Sequence, residues 1–166
     1  MTTSVSEHVA RNARKFPSRV ALIDDHGTFT YARLDEAANR LAAYLQATGV
    51  GHADKVALLA TSSANWVVAY VAILRLRAVC VPLNYRLTPD DIRANVEDAQ
   101  CRSMITTSDF LASHVAGRID LPVALIDDAP GENGLGRILQ QPATGFVAPP
   151  ASDDDVQLIM FTGGTT

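Results

Sequence analysis

Cysteine is nearly absent from these 166 residues. Cys80 and Cys101 stand alone, with no C-x-x-C spacing and no His/Cys cluster beside them. That excludes a disulfide framework and a zinc site, and the two thiols read as small buried apolar residues. Lysine is as scarce: Lys15 and Lys55 are the only two among 14 cations, and none lies beyond residue 55. A Walker loop, which needs G-x-x-x-x-G-K-[ST], is therefore missing. Long apolar runs are missing too. The longest, Trp66 to Leu74, is half the ~20 residues a membrane-spanning helix needs. The first residues, MTTSVSEHVARNARKF, contain Glu7 and no apolar h-region, so they do not read as a secretory signal. There is no basic block, and 14 cations against 18 acids leave a net charge of −4, which argues against a nucleic-acid binder. The four histidines share no metal-ligand spacing, and no G-x-S-x-G nucleophile elbow occurs. A soluble, cytoplasmic protein is the expectation.

What is present is an alternation of helical and strand patterns. With 48% apolar and 19% charged residues the chain can build a core about one domain in size. Val5, Val9 and Ala13 give a first helix, Ser4 to Lys15, stopped by Pro17. Val20 to Ile23 and Thr28 to Tyr31 flank an Asp-His-Gly turn as a hairpin. Thr30 then caps a helix with a stripe at Leu34, Ala37, Ala38, Leu41, Ala42 and Leu45, and Gly49 suits the left-handed position after its end. Strands are predicted over 55–61, 78–83, 103–107, 123–126 and 156–161. Helices are predicted over 65–75, from Thr88-Pro89-Asp90-Asp91 onward, and over 110–118. The helix over 65–75 is apolar nearly all round and belongs between layers. The last strand, with Val156, Leu158, Ile159, Met160 and Phe161, reads as buried on both faces. Strands separated by helical stretches predict an α/β fold with a mainly parallel sheet and helices on both faces. The hexapeptide VALIDD occurs at 20–25 and 123–128, but its flanks differ, so it reads as coincidence.

The chemistry is concentrated at the end. Phe161-Thr162-Gly163-Gly164-Thr165-Thr166 follows an apolar strand. Two glycines let backbone N–H groups approach an anion, and three threonines add hydroxyl donors, the layout of a phosphate-cradling loop. Alone, such a short string is equally a strand end loosened by glycine. Gly131 to Gly136 has the order G-x-x-G-x-G and is followed by at most one helical turn, so it reads as a loop and not a dinucleotide fingerprint. Trp66 and Tyr70, one turn apart, read as core packing.

The order of motifs along the chain resembles the opening of the adenylate-forming enzymes, in particular the acyl-CoA synthetases. The resemblance is carried by G-x-x-T-Y (Gly27 to Tyr31), L-x-x-x-A-x-R-L-A (Leu34 to Ala42) and G-V-x-x-x-D-x-V-A (Gly49 to Ala57). It continues through N-W-x-x-A-Y (Asn65 to Tyr70), V-P-L-N-x-R-L (Val81 to Leu87) and D-x-x-L-I-x-F-T-x-G-T-T (Asp155 to Thr166). The run from Ala129 to Pro150 matches nothing in it.

The resemblance implies that residues 1–166 are the N-terminal part of an adenylation domain, cut inside its phosphate loop. It implies ATP, Mg²⁺ and coenzyme A as cofactors and a small carboxylic acid as substrate. Thr162, Gly163, Gly164, Thr165 and Thr166 would hold the ATP phosphates, Thr162 would touch the Mg²⁺, and Arg86 would pair with the nucleotide end of coenzyme A. Arg86 is equally readable as a solvated loop arginine.

Two departures stand out. Gly163 replaces the usual second hydroxyl of the loop, and Arg33 replaces the acid expected to cap Thr30 reciprocally. The family's metal-binding Glu and catalytic Lys lie beyond the motifs present here. Two readings stay open: a ligase represented by its N-terminal part, or a non-catalytic nucleotide- or partner-binding domain. Fatty, aromatic and short-chain acids all remain candidates.

Overall fold

Period-two burial on both sides of four short strands builds the centre of this molecule, a computed structural model that describes residues 4–25, 27–127, 131–143 and 146–162. The strands are β3 (Lys55–Leu59), β4 (Val79–Pro82), β5 (Ser103–Thr106) and β6 (Val123–Leu125). They form one parallel sheet in the order β4-β3-β5-β6. Val56, Leu58, Cys80 and Ile105 face one core, and Ala57, Leu59, Val81 and Met104 face the other. Both faces are covered, as a parallel sheet requires. On the first lie α1 (Val5–Lys15), α2 (Tyr31–Ala47) and α3 (Ala64–Arg75); on the second lie α4 (Pro89–Asp98) and α5 (Ser108–Phe110), which continues as a π-helical segment over Leu111–Val115. A separate antiparallel hairpin, β1 (Val20–Asp24) with β2 (Gly27–Thr30), precedes α2. The α/β fold with helices on both faces is as the sequence predicts. Among the described residues no helix is long and apolar enough to cross a membrane.

Local chemistry sets the helix ends. The α2 stripe is buried at all six expected positions. Thr30 Oγ1 accepts from the Arg33 amide, with no reciprocal acid, and at the far end Val50 N donates to Leu45 O and Gly49 N to Gln46 O. This paired closure requires the positive φ of +96° that Gly49 adopts. Asp24 reaches from the hairpin to accept from the Ala64 amide, so α3 starts under two acceptors, Asp24 and Ser63. Thr88 and Asp91 form a reciprocal capping box at α4. Thr88→Ala is expected to lower stability by about 1 kcal/mol, read as a shifted urea midpoint at unchanged slope.

Two arginines that flank Leu76 fasten α1 to the body. Arg75 is buried and donates to Asp35 Oδ1 (2.8 Å), Asn39 Oδ1 (2.6 Å) and Ser6 O (3.1 Å). Arg77, also buried, donates to Ser4 Oγ, Glu7 Oε1 and Pro149 O. The Ser4 amide, and then Arg77, hold the Glu7 carboxyl below its ordinary value near 4.5, against partial burial. A carboxyl whose pKa is lowered on folding adds stability above its unfolded value and loses it as pH falls through the lowered one. Stability is therefore expected to fall below about pH 4.5, and in Glu7→Gln less steeply than in the unchanged chain, by denaturant titration at several pH values.

Two elements differ from the sequence reading. The helix expected over 110–118 begins at Ser108, because Asp127 crosses from the end of β6 and accepts from both the Ser108 amide (2.7 Å) and its hydroxyl (3.2 Å). The segment expected as a doubly buried strand over 156–161 is an extended strip joined to the sheet, among the described residues, by one bridge, Leu158 beside Cys80. Among the described residues two backbone hydrogen bonds fasten it, Cys80 N to Gln157 O and Ile159 N to Cys80 O, both 3.0 Å. Ile159 packs on the second core. Val156, Leu158, Met160 and Phe161 are exposed, at 58%, 39%, 65% and 39%. Among the described residues the strip has a sheet neighbour on one side only, and the packing that covers both faces of the other strands reaches it only at Ile159.

Candidate functional site

Parallel strands place all their carboxyl ends at one edge, and connections that leave toward opposite faces open a crevice there. Such a divergence falls between β3 and β4, and another between β3 and β5, whose connection leads into α5 on the second face. After Leu59 the chain turns into α3 on the first face; after Pro82 it turns through Asn84 to Leu87 into α4 on the second. The strip over 156–162 runs parallel to β4. Its direction therefore carries Phe161 and Thr162 to the same carboxyl edge.

The edge is held together by side chains from several connections. Asn65 Nδ2 donates to Ile126 O at 2.7 Å, tying α3 to the end of β6, and the Asp127 contacts with Ser108 tie that end to the start of α5. Thr106 Oγ1 donates to Leu59 O at 2.8 Å inside the sheet. At the opposite edge, His52 Nε2 lies 3.0 Å from Asp155 Oδ1 and anchors the start of the strip. The Ser152 amide first, and His52 second, hold the Asp155 carboxyl below the usual range.

Of the residues singled out in the sequence, Thr162 is described and exposed at the carboxyl edge. Gly163, Gly164, Thr165 and Thr166 lie outside the described residues. Arg86 is exposed in the connection after β4. Its amide donates to Asn84 Oδ1 at 3.0 Å and its guanidinium lies 5.7 Å from the Tyr85 ring centre. Among the described residues Arg86 has no carboxylate partner. Thr162 and Arg86 thus stand at the same end of the sheet. No group of three His, Cys, Asp or Glu side chains suited to a metal occurs among the described residues. A lone threonine hydroxyl suits a phosphate oxygen, or one neutral position on a Mg²⁺ that takes its other ligands from phosphates and water.

Other sequence candidates settle as structure. Cys80 and Cys101 are free and buried, and burial pushes their thiols up to about 12 and about 11, so both are inert at neutral pH. Trp66 and Tyr70 stack, with ring centres 5.6 Å apart, and pack against the first core. Gly131 to Gly136 is a turn leading into a single helical turn, α6 (Leu135–Ile138). One VALIDD copy forms β1 of the hairpin and the other β6 of the parallel sheet, so they are not a repeat. Sequence reading missed Asp24, Asp127, Arg75 and Arg77. For the arginines a signal existed: two cations interrupting an otherwise apolar run at Leu74 to Val79 need internal partners.

The profile of a family described as AMP-binding enzyme matches residues 9–166. A 3-hydroxybenzoate–CoA ligase of Aromatoleum sp. (strain CIB) is 31% identical over 160 residues, covering 93% of this chain and 30% of that protein. A 3-hydroxybenzoate–CoA/4-hydroxybenzoate–CoA ligase of Thauera aromatica is 32% identical over 161 residues, covering 93% of this chain and 31% of its own length. The solved N-terminal subdomain of Klebsiella oxytoca NpsA, in complex with 3-hydroxybenzoyl-AMSN, superposes with a TM-score of 0.79 at 28% identity, covering 98% of this chain and 38% of that one. The chain spans about 30% of the length of the curated relatives it matches.

Proposed function

We propose, since the chain belongs to the AMP-binding enzyme family, that it is the N-terminal part of the adenylation domain of an acyl-CoA ligase. In this reading the whole protein converts a small carboxylic acid and ATP to an acyl-adenylate and pyrophosphate. The coenzyme A thiol then displaces AMP to give the thioester. The observation that carries the reading is the strip beside β4 that brings Thr162 to the edge where the connections of β3 and β4 diverge, Thr162 being followed in the sequence by Gly163-Gly164-Thr165-Thr166. The hydroxybenzoate ligases among its relatives favour an aromatic acid as substrate.

Each residue then has a task. The hydroxyls of Thr162, Thr165 and Thr166 and the amides of Gly163 and Gly164 bind the β- and γ-phosphates, where negative charge grows as pyrophosphate leaves. Thr162 offers a neutral ligand to Mg²⁺, which when bound spreads that charge. Arg86, free of carboxylates at the same edge, pairs with a phosphate of coenzyme A.

The test is ATP–pyrophosphate exchange by the full-length protein with benzoate, hydroxybenzoates, short-chain and fatty acids. Exchange is expected with at least one aromatic acid and Mg²⁺. The 166-residue chain alone is expected to form no acyl-CoA above background, because the family's metal-binding acid and catalytic lysine are not among its motifs. Nucleotide binding without exchange for any acid would favour a non-catalytic binding domain.

A further inference from the structure

One stretch of this acidic chain carries cations and no acid. Residues 8–23 hold Arg11, Arg14, Lys15 and Arg19 and no acid, in a chain of net charge −4. Arg11, Arg14 and Lys15 are spaced three and four apart on the exposed face of α1, opposite the buried Ser6 and Val9. Among the described residues none of the four has a carboxylate partner. The nearby acids are engaged elsewhere: Glu7 by Arg77, Asp35 by Arg75 and Glu36 by Arg40. The last turn of a helix favours cations, which accounts for Arg14 and Lys15, but not for Arg11 or for Arg19 beyond the helix.

A second observation gives the patch an apolar centre. Phe16 is 38% exposed, with Lys15 Nζ 5.1 Å and the Arg19 guanidinium 5.5 Å from its ring centre, and Val20, next after Arg19 in the chain, is 49% exposed. An exposed aromatic ring flanked by two cations matches the boundary between lipid headgroups and acyl chains. There the cations meet phosphates and the ring meets hydrocarbon. Four cations with no acid among them are the charge complement of an anionic surface. We infer that the Arg11–Arg14–Lys15–Phe16–Arg19 patch docks the protein, peripherally, on a bilayer rich in anionic phospholipid.

Flotation of the purified chain with vesicles of phosphatidylcholine alone, or with phosphatidylglycerol added, tests this. Binding is expected with the anionic vesicles at low salt, and lost near ~0.5 M salt, where charges are screened within a few ångströms. Replacing Arg11, Arg14, Lys15 and Arg19 together with Gln is expected to weaken it at least ~10-fold, because each basic residue near an anionic surface contributes several-fold. A control variant with Arg93, Arg102, Arg118 and Arg137 changed to Gln alters net charge equally and is expected to bind as the unchanged chain does; all three proteins are compared by circular dichroism. Equal binding to neutral vesicles, undiminished binding by the patch variant, or equal loss in the control would overturn the inference. So would capture of poly-glutamate with no vesicle binding, which would make the patch a site for an acidic protein.

Discussion

Changing Thr165 and Thr166 together to alanine in the full-length protein is expected to slow pyrophosphate exchange by ~10²-fold or more. Single donors aimed at developing charge in a dry site are each worth ~2.7–4 kcal/mol. The reasoning concerns charge that appears late. Pyrophosphate leaves with more negative charge than it carries within ATP, so donors fixed in place favour the transition state over the ground state. The loss should therefore appear mainly in kcat, with a smaller change in KM for ATP. Steady-state exchange rates decide it, and an unchanged kcat in the double variant would remove these hydroxyls from the phosphate site. Arg86→Ala should act differently, raising KM for coenzyme A and leaving exchange intact, because exchange precedes thiol attack.

The second large effect concerns stability. Asp35→Ala leaves the Arg75 guanidinium, whose side chain is 6% exposed, with Asn39 and Ser6 alone as partners. Asp35 is itself 24% exposed, so the loss falls below that of a fully buried pair, at ~2–3 kcal/mol. A lower urea midpoint at constant slope would register it. Adding Arg75→Met is expected to recover part of the loss, since an apolar side chain removes the buried charge that Asp35→Ala leaves unpaired. If the double variant were less stable than Asp35→Ala alone, the stabilising role would belong to Arg75 through Asn39 and Ser6.

Much of this architecture was legible from periodicity. The α2 stripe, the Thr30 and Thr88 caps, the Gly49 closure and the all-round burial of α3 rest on contacts a few residues apart, which spacing records. Long-range partners leave no such mark. Asp127 shifts the start of α5 from 19 residues away, and Asp24 caps α3 from 40. The strip over 156–162 was misread for a related reason: an apolar composition does not distinguish a central strand from an edge one. The carboxyl-edge site was legible only as a strand entering a glycine and threonine loop. Its assignment to ATP phosphates came from the order of motifs over the whole chain. Arg86 gave no signal of its own, because an exposed arginine in a loop has the same sequence appearance whatever it binds.

The two arginine clamps also impose an order on synthesis. Ser6 and Glu7 meet their partners in Arg75 and Arg77, which lie 69 and 70 residues further along the chain. A ribosome adding ~5–20 residues per second needs roughly 4–14 s to cover that distance. For that interval α1 has its capping box but no guanidinium to receive it, and as a lone 11-residue helix it is too short to persist in water. Its apolar face can meet α2 as soon as that helix has emerged, but its polar anchors close only once Arg75 and Arg77 have followed.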